Sequence, residues 1–217
     1  MFLQQKKPQR GLFTFFCEGN NNPKSPFFSR RVRLSHRQTV VLGRGYDLGD
    51  LDRIEVSKTL MSIGLPKRKA EFIATGARLE GKEASKFVEQ FENDITLSED
   101  QEIQLFHNKY YKTEEELLLF IEKSFKRYGF IHYERIPVHQ QELLIDFMYA
   151  GDWNTRIQDT LLMALKKSLD HRKPRIFDLV LMDIRFWTSL GIPEDRVKLR
   201  CIYANEWENF QRMISII

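Results

Sequence analysis

From about residue 50 onward the apolar residues of this chain recur at helical spacing, as in Ala84, Phe87, Val88 and Phe91, and again in Leu143, Leu144, Phe147 and Met148. A stripe of that period must be buried against other helices, so most of the chain is committed to a helix bundle. Ser98 with Gln101 and Thr113 with Glu116 read as capping boxes, Gly129 closes the second of these helices, and Pro137, Pro174 and Pro193 stand where first turns belong. The spacing predicts helices near 52–63, 67–75, 81–93, 99–110, 114–128, 138–150, 155–169, 175–190 and 194–210.

Residues 19–50 depart from this pattern. Gly19, Asn20, Asn21, Asn22, Pro23 and Pro26 make a loop, and 31–34 and 38–42 read as short strands. Ahead of them, 11–18 stays ambiguous: Leu12, Phe15 and Phe16 fit a helix, while Thr14 and the aromatics also suit a strand. The expected class is therefore α+β, mainly α. A chain of 217 residues can bury one core, or two lobes sharing a long helix; no internal repeat divides it.

Composition narrows the function classes. With 42% hydrophobic and 29% charged residues and no apolar run near the roughly 20 residues that span a bilayer, no membrane insertion is expected. The stretch 1–10 lacks an apolar segment with a cleavage site, so no secretory signal is expected. A net charge of +4 favours anionic partners: nucleic acid, anionic membranes or murein. Cys17 and Cys201 are read as free thiols. No zinc spacing appears, and His36, His107, His132, His139 and His171 are scattered, so neither metal nor organic cofactor is expected.

Two places could carry chemistry. Glu18 ends an aromatic segment and precedes Gly19; on a helix, its carboxylate would meet the negative end of the dipole. That dipole and Phe13, Phe15 and Phe16 would disfavour the ionised form, as a general acid requires. The plainer alternative is an exposed acid before a turn. In the stretch 39–49, Gly43 and Gly45 interrupt a strand where a saccharide ring could approach bare backbone. Val41 and Asp47 would lie about 20 Å apart if extended, so both face one bond only if the glycines turn the chain. Alternatively this is a hairpin turn with Asp47 or Asp50 capping a helix that starts near Leu51.

Together, Glu18-Gly-Asn-Asn-Asn-Pro-Lys-Ser-Pro-Phe-Phe-Ser-Arg and the later Val-Val-Leu-Gly-Arg-Gly-Tyr-Asp47-Leu-Gly resemble the pesticin-like branch of the phage-type lysozymes. There the pattern is close to Glu-Gly-Asn-Asp-Asp-Pro, then Ser-Pro-Tyr-Phe-Ser-Arg, then Val-Thr-Ile-Gly-Arg-Gly-Tyr-Asp. The resemblance is specific over about 17–50 and architectural beyond, at 141–151 and 193–207. It implies a single lysozyme-like domain over 1–217: a tail to 10, an active-site helix with a small β-hairpin lobe over 11–50, and a helical lobe over 51–217. The implied activity is a muramidase that hydrolyses the β-1,4 bond between N-acetylmuramic acid and N-acetylglucosamine. Its partner would be bacterial peptidoglycan, not nucleic acid, met by a monomer in the periplasm or outside the cell.

By the same resemblance the catalytic glutamate falls on Glu18 and the catalytic aspartate on Asp47. Arg196 matches a basic residue that reaches back toward the cleft glutamate. Gly43, Arg44, Gly45 and Tyr46 would form the substrate lip. The family threonine falls on Val41, which has no hydroxyl; Thr39, about 7 Å back along the same strand face, is the substitute. Val41 keeps a second reading open, a decayed cleft that binds glycan or a protein. A third is nucleic-acid binding through Lys67, Arg68 and Lys69 or Lys166, Lys167, Arg172 and Lys173, although such runs usually form solvated faces. Phe106, Tyr110, Phe120, Phe125 and Tyr128 are expected in the core, and Trp153 in packing rather than as a sugar platform.

Overall fold

The computed structural model describes residues 6–25, 27–173 and 175–207; the expectations placed on 1–5, Pro26, Pro174 and 208–210 lie outside them. The chain is mainly helical with one small antiparallel sheet. Its described residues form two compact units, 6–109 and 110–207.

The first unit opens with α1 (Leu12–Cys17), which resolves the ambiguity over 11–18 as helix. The strands β1 (Arg33–Leu34), β2 (Val40–Leu42) and β3 (Tyr46–Asp47) follow, then α2 (Arg53–Ser62), α3 (Lys67–Ala74) and α4 (Gly81–Phe91). The strands are shorter than expected, and β3 is an addition. Strands of two or three residues cannot hold a sheet alone. Val40, Leu42 and Tyr46 therefore share one buried cluster with Val56, Leu60, Ile73, Ala84 and Phe87 from the three helices. The three helices α2, α3 and α4 thus share a core with the sheet, and the two units part at 109/110, inside α5 (Glu99–Lys123).

Helix α5 is continuous where two helices were expected. The Ser98 box forms, with the Gln101 amide donating to Ser98 Oγ at 3.2 Å and the Ser98 amide to Gln101 Oε1 at 3.0 Å. The Thr113 box does not; Thr113 is buried in mid-helix, and no glycine or proline interrupts 99–123. A short helix, α6 (Phe125–Tyr128), then closes at Gly129, whose φ of 75° suits glycine.

The second unit continues with α7 (Val138–Tyr149), α8 (Thr155–Asp170), α9 (Arg175–Leu181), α10 (Ile184–Ser189) and α11 (Glu194–Asn205). The expected helix 175–190 is split because Asp183 caps a new start, accepting from the Phe186 amide at 3.0 Å. Helix α7 is buried almost all round, through Leu143, Leu144, Ile145 and Phe147 and also Glu142 and Asp146. Trp153 packs edge-on against Phe120, while Phe125 is exposed rather than in the core. Among the described residues no helix is long and apolar enough to cross a membrane.

Candidate functional site

Helix α1 buries Phe13, Thr14 and Phe15 and ends at Glu18, whose amide donates to the Thr14 carbonyl at 3.0 Å. Gly19 follows because a Cβ there would lie 2.7 Å from that of Ser29. The loop back to Ser29 is ordered by its own side chains. Asn20 Oδ1 accepts from the Asn22 amide at 3.1 Å, Asn22 Oδ1 from the Lys24 amide at 3.0 Å, and Ser25 Oγ from the Phe27 amide at 3.1 Å. Beside it lies a cavity of about 340 Å³ lined by Phe16, Cys17, Glu18, Gly19, Asn20, Phe27 and Arg33. Of the phenylalanines expected around Glu18, Phe16 lines this cavity, whereas Phe13 and Phe15 are buried in the interior. Phe27, 67% exposed, and Arg33 are additions.

Two arginines hold this segment. Arg33 donates to the Glu18 carbonyl at 2.8 Å and to the Gly43 carbonyl at 3.1 Å. Arg44, expected to touch substrate, is instead an internal strut, 1% exposed. Its guanidinium donates to the Phe15 carbonyl at 2.9 Å, to the Gly19 carbonyl, to Asn21 Oδ1 and to Glu102 Oε1 at 2.9 Å, over the Phe15 ring. It thus reaches carbonyls on either side of Glu18, that of Phe15 in the last turn of α1 and that of Gly19 just beyond it.

The sheet sets the second carboxylate. Arg33 pairs with Val41, and Val41 with Asp47, so the three lie side by side across the strands on one face. Gly43 and Gly45, at φ 64° and 80°, turn the chain to bring 41 and 47 together. Gly43 does not present open backbone in the way expected. A Cβ on Gly43 would meet Leu105 at 3.1 Å, and the Gly45 carbonyl accepts from Lys109 Nζ at 2.7 Å. Tyr46 points to the opposite face and joins the core, where burial pushes its phenol up to about 12.

Asp47 accepts from the Thr39 hydroxyl at 2.8 Å on one oxygen and from the Gly49 amide at 2.9 Å on the other. Neither it nor Asp50 caps α2. Asp52 does so, through the Glu55 amide at 2.8 Å, and Asp50 pairs with Arg37 at 2.7 Å. Arg196 stands on α11 in the second unit, its guanidinium on Asp146, which also accepts from Arg200 Nε at 2.8 Å. Burial would raise the Asp146 carboxyl, but the two arginines outweigh it and hold it below the ordinary value.

Neither the curated proteins nor the solved structures include a match to this chain. A family model does match, that of the domain of unknown function DUF8812, over residues 11–201. The matched span includes α1 with Glu18 at its end, the sheet with Asp47, and Arg196, and on that match the chain belongs to the DUF8812 family.

Proposed function

We propose that this protein is a murein-degrading muramidase with a lysozyme-like fold. Glu18 protonates the leaving oxygen of the β-1,4 bond after N-acetylmuramic acid, and Asp47 activates a water on the opposite face of the sugar. The observation that carries this reading is the register Arg33–Val41–Asp47, with Arg33 tied to the carbonyl of Glu18. Through it, an acid at a cavity edge and a carboxylate ordered by two donors belong to one small framework. The substrate is peptidoglycan, met by a monomer in the periplasm or outside the cell.

One observation favours a second reading, glycan or protein binding without turnover. The residue directly beside Asp47 is Val41, 5% exposed and without a hydroxyl to help hold water. A muropeptide digest of purified murein separates the two. New reducing ends at muramic acid, abolished by Glu18→Gln with unchanged melting, support hydrolysis; retained murein binding without products supports the second reading.

A further inference from the structure

We infer that Ser35 and Thr39 form a one-way hydrogen-bond relay that positions the Asp47 carboxylate, so that Thr39 serves the aspartate rather than the water; this rests on the hydrolytic proposal. The direction follows from counting protons. Ser35 Oγ accepts from the backbone amides of Arg37 at 3.1 Å and Thr39 at 3.2 Å. Those two bonds occupy its acceptor positions and leave its single proton to donate. Thr39 Oγ1, 2.6 Å away, receives it. Thr39 then has one proton of its own, and Asp47 Oδ2 lies 2.8 Å from it. A carboxylate acceptor makes this the stronger kind of hydrogen bond.

The surroundings are built to keep this chain. Thr39 is buried, and Gly49 closes over it: a Cβ on Gly49 would lie 2.4 Å from Thr39 Cγ2, so only glycine lets its amide reach Asp47 Oδ1 at 2.9 Å. Both carboxylate oxygens are thereby fixed in direction, each by one donor. With its proton given to Asp47, the Thr39 hydroxyl has none left to donate to a nucleophilic water. Ser35 and Thr39 are positioning residues, acting on the reaction only through Asp47.

The test compares Thr39→Val, Thr39→Ser and Ser35→Ala in steady-state murein hydrolysis, with thermal melts alongside. Thr39→Val is expected to lower kcat about 10- to 100-fold with KM little changed. Thr39→Ser restores most of the rate, and Ser35→Ala loses several-fold. Should Thr39→Val fail to fold, Ser35→Ala decides: reduced kcat at unchanged KM supports the relay, and a wild-type rate overturns it. Wild-type cleavage with an unimpaired Thr39→Val overturns the relay alone. A wild-type protein that leaves murein intact overturns the hydrolytic proposal and the relay with it.

Discussion

Arg44 and Glu102, 58 residues apart in sequence, form an ion pair 2.9 Å long with 1% and 2% of their side chains exposed. Removing one partner strands a buried charge, which costs more than the pair contributes. Glu102→Ala is expected to lose about 3–5 kcal/mol in urea unfolding. Arg44→Lys is also expected to destabilise, since an ammonium cannot present the planar fork that reaches Glu102, Asn21 and two carbonyls together. Wild-type midpoints in both variants would show that the strut is dispensable.

Val41→Thr is expected to raise murein turnover, up to roughly tenfold for one added hydrogen bond to the water. Directly paired residues place their Cβ atoms about 4.5–5.5 Å apart, so the new hydroxyl would stand beside Asp47. The swap buries a hydroxyl and should cost about 1–3 kcal/mol if it finds no partner. An active wild type with no gain in the variant would mean that the water is held by another group.

Gly45→Val is expected to lower the melting temperature, because φ of 80° strains a β-branched residue by about 1–3 kcal/mol. Gly45→Asn should suffer less, since asparagine enters this region more readily. Normal melting of Gly45→Val with loss of oligosaccharide binding would instead place a sugar against this backbone.

Asp146 links stability to acid. Its folded carboxyl is held below the ordinary value, so the unfolded chain takes up the proton first. The stabilisation is present in full above the ordinary carboxylate range, near pH 4, and drains away as pH falls through the folded value. Asp146→Asn should cost about 3–5 kcal/mol at neutral pH and show a flatter stability profile in acid. Parallel profiles for the two proteins in urea titrations at several pH values would assign the acid dependence to other groups.

Local signals were readable in the sequence where a residue's chemistry acts on its own neighbours. The Ser98–Gln101 box, the Gly129 stop and the turn between Val41 and Asp47 are of this kind. The Thr113–Glu116 pattern misled because a capping pair starts a helix only where something has ended the previous one. Arg44 was misplaced because nothing local distinguishes an arginine facing a cleft from one drawn beneath α1 by distant Glu102. Arg33 and Phe27 were missed. For Arg33 a sign existed, the alternation of Val32-Arg33-Leu34; for Phe27 nothing local separates it from Phe28, which is buried while Phe27 is exposed.

The hairpin around Gly43 and Gly45 works as a reading frame. Side chains alternate between faces, so with the turn kept at its length, one residue gained between 42 and 46 would set Tyr46 opposite Val41 and Asp47 opposite Val40 on the core face, and one residue lost would set Asp47 opposite Leu42 and draw Tyr46 into the turn. Point changes at 41 leave that frame untouched, whereas a single-residue deletion or insertion would cost both the carboxylate and the buried ring at once. The residue at 41 is therefore open to exchange, whereas the number of residues that separates it from the aspartate is not.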